Sequence, residues 1–435
     1  MEAEHRIDIE RINKEVREFP PLHPECCIYR VHDGLRKVKP EAYEPMLVSI
    51  GPYHHQNPKL LTMRKHKLRY LHLLLVRRQE ESVERYILEL EKLEGRTRKC
   101  YADPIDQAFN SGEKFVEMML LDGCFIIEIL RMCSGEVLCD NDDPILNLDW
   151  MCDQIRCDMM LLENQLPYFV VSKLYDMTKN DSEQPFEDLV RCNFSTILPI
   201  SPPTSRNSSG IDGQRVKHLL HLMHMISYPL SELALNANSN KPPEEMGSVV
   251  ELQEAGVEFK MIDTSRVSND VSLLDVKFDN GLMEIPLIEV DDFAETILRN
   301  LIAFEQNSLD MDLKLFSAFQ RFMDQLISSE NDVKLLRRRG IIKNVLGDDK
   351  VVSDIINKLG DGVNYDRQSV LYFSHVRQKV NIHCETPWNQ MKAKLKHDYF
   401  NTPWAGVSTI AAIVLLILTF LQTFAALKSP STWFK

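Results

Sequence analysis

The stretch from Phe115 to Arg131 constrains the fold most, because its apolar residues leave no broad polar face. A helix that is apolar nearly all round must pack against other elements on several sides, so this run predicts a central core helix. Asp122 and Glu128 lie inside the run. Because a carboxylate is rarely buried without a partner, we expect both acids to face a base or another polar group.

A second run, from Asp158 to Phe169, repeats the sequence Met-Met-Leu-Leu followed at once by an acid. It predicts a second core helix that stops or kinks near Pro167, since proline removes a backbone donor. We expect the acids of the two runs to form a structural polar network, with Asp122 and Glu163 fixing how the helices pair. The alternative is a catalytic carboxylate pair, in which burial raises one pKa. The expected polar core consists of Asp122, Glu128, Asp158 and Glu163.

Around these runs the hydrophobic periodicity predicts a mainly α fold, a multi-helix globular body with one small sheet. Alternating residues near 257–288, with Asp279-Asn280-Gly281 as a hairpin turn, predict a small antiparallel β meander. The expected order is an N-terminal amphipathic helix and linker over 1–27, the body over 28–400, a transmembrane helix over 405–427 and a short tail over 428–435. Composition indicates linkers near 200–214 and 236–247.

Composition and motifs exclude several classes of function. The formal net charge of −13 disfavours nucleic acid as a partner, because phosphate binding needs a positive surface. The chain contains no G-x-S-x-G, H-E-x-x-H, P-loop or G-x-G-x-x-G sequence. We therefore assign no catalytic residue, no metal and no cofactor. The ten cysteines include no C-x-x-C pair, which favours reduced thiols in the core.

Two groups of histidines are the weaker candidates for a site. His54 and His55 follow a Gly-Pro turn and could hold a metal or a proton together with His66, although hydrogen bonding at turns and helix ends is the simpler interpretation. The sequence H-L-L-H-L-M-H brings three more histidines within about a third of a helix circumference. We expect those three on a partly exposed helix face, since a zinc site needs further ligands. They are His218, His221 and His224.

The C-terminal run 405–427 is uncharged and long enough to cross a bilayer. Trp404 and Trp433 stand near its ends, where tryptophan favours the membrane interface. More lysines precede the run than follow it, which predicts a cytosolic body and a single-pass tail anchor. The resident membrane stays open, the plasma membrane being one candidate. Basic residues before the span, and those at Arg337–Arg339, could also contact anionic lipid.

Nearly the whole chain, from about Ile28 to Leu427, resembles the plant family called domain of unknown function 247, or uncharacterised protein family 0481. The residues that carry the resemblance are Ile28-Tyr29-Arg30-Val31, Val48-Ser49-Ile50-Gly51-Pro52-Tyr53-His54-His55, both Met-Met-Leu-Leu runs, Glu254–Lys260, Arg299–Gln306 and Tyr399–Trp404 with the following span. Two departures are Gln56, where the family often has glycine, and Asn307, where cysteine is common. The resemblance implies a membrane-anchored plant protein of unknown biochemistry. Some members are associated with pollen–stigma self-recognition in grasses.

Three functions follow as hypotheses. We favour a tail-anchored interaction, recognition or signalling module whose body binds an unknown protein partner, because a large core and a strong anchor come without a catalytic signature. The alternative is a membrane-tethered enzyme, for example a hydrolase that uses the buried carboxylates or the histidines. A third is a regulator at the lipid surface.

Overall fold

The computed structural model describes residues 9–18, 23–137, 143–195, 197–198, 213–227, 245–262, 276–308, 314–391, 394 and 403–428. Its helices are α1 Ile9–Glu18, α2 Asp33–Arg36, α3 Met63–Arg78, α4 Glu84–Lys99, α5 Gly112–Cys133, α6 Asp149–Met159, α7 Tyr168–Thr178, α8 Phe186–Phe194, α9 Leu219–Ile226, α10 Val249–Glu254, α11 Ala294–Asn307, α12 Leu315–Leu326, α13 Glu330–Arg338, α14 Asp349–Lys358, α15 Arg367–Tyr372, α16 Ser374–Glu385 and the C-terminal helix Pro403–Lys428. The mainly helical fold is confirmed.

Helix α5 is the centre of the N-terminal half of the body. Its residues from Phe115 to Met132 are buried almost without interruption, and it packs against α3, α4, α7 and α8. Gly123 permits the closest of these approaches, because a Cβ there would lie 2.5 Å from Cδ1 of Leu174 on α7. The run without a polar face therefore occupies the position that its composition predicts.

The second core helix is not where we expected it. Helix α6 ends at Met159, the chain continues as a buried loop over 160–167, and α7 begins only at Tyr168. Buried loops are uncommon, because their backbone N–H and C=O groups need partners away from water. Here the polar side chains of the same segment and of its neighbours supply those partners.

The described strands form two small sheets, and the three-stranded one differs from the expected meander in one pairing. The strands are β1 Glu258–Met261, β2 Lys277–Asp279, β3 Leu282–Ile285, β4 Ile288–Val290 and β5 Ile342–Asn344. Strands β2 and β3 form the expected hairpin, and Asn280 and Gly281 both have positive φ in its turn. However, β1 pairs with β3 in parallel, and β4 pairs with β5 in parallel. Alternation predicts which face is buried but not the direction of pairing.

Several expected segments lie partly or wholly outside the described residues. Helix α1 covers the described part of the amphipathic N-terminal stretch. Most of the two expected linkers falls outside, at 200–212 and 236–244, as do the tail residues 429–435. The structure therefore says nothing about those parts of the chain.

One described helix is long and apolar enough to cross a membrane. Its candidate span, Val407–Ala425, has a mean hydropathy of 2.2 and is not buried against the rest of the described chain. Nineteen residues rise about 28 Å along a helix, close to the ~30 Å hydrocarbon thickness of a bilayer. Its apolar side chains are exposed, Phe420 to 71% and Leu416 to 71%, which is typical of a surface that contacts lipid rather than water.

Candidate functional site

Two loops, 44–55, which is buried or half-buried over most of its length, and 160–167, which is buried throughout, form the base of the candidate site. They lie against each other because polar side chains of one segment bind the backbone of the other. Asp158, at the end of α6, accepts the backbone N–H groups of Met46, Leu47 and Val48 at 3.0, 2.7 and 2.9 Å. Burial raises the pKa of this carboxyl, and the three N–H donors oppose that rise.

The amide side chains of the 160–167 loop complete this contact. Asn164 accepts the N–H of Ile50 at 2.6 Å and donates to the carbonyl of Val48 at 2.9 Å. Gln165 donates back to the carbonyls of Met159 and Leu161 at 2.6 and 2.8 Å. These bonds replace the helical hydrogen bonds that the loop lacks, so the segment remains buried without unpaired backbone groups at these positions.

Asp122 joins helix α5 to the 44–55 loop through a buried ion pair. Lys67 on α3 donates to Oδ1 of Asp122 and also to the carbonyl of Ser49. The other carboxylate oxygen accepts the N–H of Gly51 at 2.9 Å. A Cβ at Gly51 would lie 2.5 Å from the carbonyl oxygen of Gln165, and its φ is +74°, so this turn requires glycine.

Glu163 lies at the floor of an open cleft above these loops. Its Oε1 accepts the N–H of Val31 at 2.6 Å and the guanidinium of Arg36. Its Oε2 lies 3.4 Å from Nε2 of His54 and 3.7 Å from Nη1 of Arg30. Burial raises the pKa of Glu163, but the nearby His54 imidazole, the hydrogen bond from Val31 and the guanidinium of Arg36 outweigh it, so the pKa is lowered. The carboxylate is therefore ionised at neutral pH.

The cleft has a volume of about 610 Å³ and opens to solvent. Its lining residues are Arg30, Val31, His32, Asp33, Arg36, Glu44, His54, Asp103 and Glu163. With neutral histidines, the four carboxylates outnumber the two guanidiniums, and the lining carries a net charge of −2. Asp33 and Glu44 at the rim are exposed and form no ion pair within the described part of the chain. Arg30 is held against the ring of Tyr53, 4.5 Å from its centroid.

Glu128, the other acid of α5, belongs to a separate network about 9 Å further along the helix, where α5 still faces α3. It accepts from Arg77 on α3 at 2.7 Å and from Arg131 at 2.8 Å. Arg131 also bonds to Glu183 at 2.7 Å and stacks over Tyr175. The four expected core carboxylates are thus all buried, yet they do not converge on one site.

The first histidine group is divided between two environments. His54 faces the cleft, whereas His55 packs edge-to-face on Phe109 with ring centroids 4.8 Å apart, and burial lowers its pKa. His66 lies on α3, half-buried. Only His54 of these three therefore lines the candidate site.

In the second group the expected partly exposed helix face is wrong for His218 and His224, whereas His221 is half-buried. His218 and His224 are fully buried, and the three imidazoles surround the ring of Phe304 with centroid distances of 5.0 to 5.6 Å. His218 caps α9 by accepting the N–H of His221, and Nε2 of His224 lies 2.8 Å from Oε1 of Glu305. Burial lowers the pKa of His218 to about 3 and that of His221 to about 2. Within the described ranges, no group of three or more His, Cys, Asp or Glu side chains could hold a metal ion.

Breaking the buried pair of Lys67 and Asp122 should destabilise the body strongly. Asp122→Asn leaves a buried lysine charge without its anion, which costs about 3–5 kcal/mol. Adding Lys67→Met to that variant removes the orphaned charge and should recover part of the loss. Chemical unfolding of the detergent-solubilised chain measures both. The matched control is Glu117→Gln, which breaks the half-exposed pair with Arg64 and should cost less than about 1 kcal/mol.

Gly51→Ala should lower stability by several kcal/mol, because the added methyl would meet a backbone carbonyl and φ is positive. Gly135→Ala is the control: its φ is also positive, but a Cβ there would meet nothing within 4 Å. Thermal unfolding of both variants separates the steric contact from the backbone strain. Equal losses in the two variants would contradict the close contact at Gly51.

The buried histidines should make the body sensitive to mild acid. A folded-state pKa below the unfolded value of about 6.5 means that the unfolded chain binds more protons, so stability is complete above that pH and is lost as pH falls. For His218 the loss reaches about 2 kcal/mol by pH 5. His218→Asn keeps a capping side chain and should flatten this dependence, whereas His72→Asn at an exposed position should leave it unchanged. If the free energy of unfolding of His218→Asn falls with decreasing pH as steeply as that of the wild type, the lowered pKa of His218 is contradicted.

Comparison with known proteins places the chain in a family. A UPF0481 protein of Arabidopsis thaliana is 30% identical, with 93% of this chain and 87% of that protein aligned. A putative UPF0481 protein of the same plant is 24% identical, with 99% and 97% aligned. No solved structure matches. The sequence profile of DUF247, described as "Plant protein of unknown function", matches residues 28–418, which include the cleft, both loops and most of the apolar helix. The chain belongs to this family of plant proteins.

Proposed function

We propose that this chain is a membrane-anchored recognition protein whose body binds a basic segment of another protein in the Glu163 cleft. The observation that carries the proposal is the cleft itself, an open, net-negative concavity built on loops that are held by buried hydrogen bonds. A site on a rigid support loses little conformational entropy when a partner binds, and this favours recognition.

The C-terminal helix supports the anchoring part of the proposal. None of its span is buried against the described residues, and such an apolar surface is stable only in contact with lipid or another apolar partner. Lys392, Lys394 and Lys396 precede the span, whereas Lys428 and Lys435 follow it. The excess of lysine before the span favours a cytosolic body.

The charge distribution supports a basic partner. Arg36 already neutralises Glu163, whereas Asp33 and Glu44 remain available at the rim. Opposite charges at the rim of an interface increase the association rate and discriminate between partners. Lysine or arginine side chains of the partner could approach these exposed rim carboxylates without displacing any buried contact.

An enzyme remains the second candidate because of one contact, the approach of His54 to the ionised Glu163 at 3.4 Å. A carboxylate beside an imidazole orients it for general-base chemistry. The residues that line the cleft include no serine, threonine or cysteine, so such an enzyme would use His54 to activate water. A turnover abolished by His54→Gln, in protein that still folds, would favour this function.

Reversal of the rim charges should abolish partner capture. In the Asp33→Lys, Glu44→Lys double variant, a basic segment meets like charge, and cross-linked partner recovered from native plant membranes should fall at least about ten-fold. The full chain is used, with a protein that retains only residues 392–435 as the anchor-only background.

The matched control changes the net charge equally at two positions that do not line the cleft. Glu91→Lys with Asp354→Lys alters two exposed positions within α4 and α14. Wild-type capture in this control and loss in the rim variant support the proposal. Equal capture by all three proteins would show that the cleft is not the docking site.

A further inference from the structure

A group of exposed apolar side chains lies between the body and the membrane anchor. Trp388, Met391 and Ile382 are 72%, 65% and 58% exposed, at the end of α16 and in the helical turn 387–391 that follows it. An exposed tryptophan is costly in water, and here it lies close to two further apolar side chains along the chain. We call these three residues the membrane-proximal patch.

Hydrogen bonds hold the turn that carries Trp388 and Met391 in its exposed position. Asn389 donates to the carbonyl of His383 at 3.0 Å, and Gln390 donates to the carbonyl of Cys384 at 2.9 Å, which fix the turn 387–391 on the end of α16. Trp388 and Met391 are three positions apart and therefore share one face of that turn. The structure thus holds their side chains outward.

The opposite face of α16 is firmly attached to the body. Val376 and Val380 are buried, and His383 packs against Phe278 of β2 with ring centroids 5.7 Å apart. Ile382 points away from this buried face, because it lies about 120° or more around the helix from both valines. The patch therefore moves with the body as one unit.

The short segment that connects the patch to the anchor indicates which surface the patch contacts. Only eleven residues, 392–402, separate Met391 from Pro403, and they can extend at most about 40 Å. Lys379 and Lys394 are exposed and flank the patch in the sequence, and Lys392 and Lys396 also belong to the connecting sequence. Tryptophan flanked by lysines is typical of a surface that lies at a bilayer interface with anionic headgroups.

We propose that the membrane-proximal patch inserts into the cytosolic interface of the bilayer and thereby sets the orientation of the body on the membrane. The proposal rests on the membrane anchoring proposed above. Trp388 and Met391 enter the boundary between headgroups and acyl chains, while the neighbouring lysines contact anionic lipid. The body is then held by a span and a second interfacial contact, so the cleft keeps a defined direction relative to the membrane.

Quenching by brominated lipid tests this contact. The full chain is reconstituted in vesicles of phosphatidylcholine with about 30% phosphatidylserine, with or without bromine on the acyl chains. Three proteins each retain one tryptophan, at 388, 404 or 150, with the other tryptophans changed to phenylalanine. In brominated vesicles Trp388 should lose roughly half of its emission, which reports contact with the interface.

The other two proteins serve as matched controls. Trp404, at the start of the anchor, should be quenched whenever the span inserts, and Trp150 on α6, 59% exposed, should not be quenched. Quenching at 404 without quenching at 388 overturns the patch and leaves the anchor intact, whereas no quenching at 404 overturns the anchoring itself. If Trp388 is instead covered by a second protein and brominated lipid does not quench it, the proposed contact between the patch and the bilayer is also overturned.

Discussion

The structure depends on carboxylate and amide side chains that bind the backbone of buried loops. Asp158, Asn164 and Asp122 together hold the 44–55 loop against the 160–167 loop. Each buried backbone N–H that lacked a partner would cost about 1–3 kcal/mol, so these side chains determine whether the loops can be buried at all. An apolar core alone could not achieve this, because a core offers no acceptor for a backbone donor.

This arrangement explains why the cleft can carry so much charge. Glu163 belongs to the same buried loop, and its bond to the N–H of Val31 joins that loop to the cleft wall. Arg36 compensates its charge from one side and leaves the rim acids exposed. The cleft therefore combines a neutralised, fixed floor with a negative rim. In a binding site this separation of roles is useful, because rim charges affect encounter rates and the fixed floor keeps its shape.

The sequence predicts those parts of the fold in which pattern and burial agree. The run around Asp122 is apolar on all faces, and it is the central helix. The run around Glu163 has a similar sequence but forms a loop. The side-chain amides of Asn164 and Gln165 bind backbone carbonyls and so compete with helix formation. Because some of those carbonyls belong to a distant segment, the local sequence does not reveal this effect. Helix α3 shows the same limit of residue type: Lys67 lies on its buried stripe with Met63 and Tyr70, whereas the neighbouring Leu68 is 47% exposed.

The sequence could not show which residues line the cleft together, because their contacts join distant segments of the chain. Arg36 and Glu163 are 127 positions apart, and nothing in either local pattern indicates the other.

Attachment of the body to a membrane would change how tightly such a site must bind its partner. A partner in the same membrane meets the cleft at a high effective concentration, so modest affinity suffices for stable association. In the proposed arrangement a small net-negative cleft, weak on charge alone, is adequate, because the anchor would hold the body beside its partner.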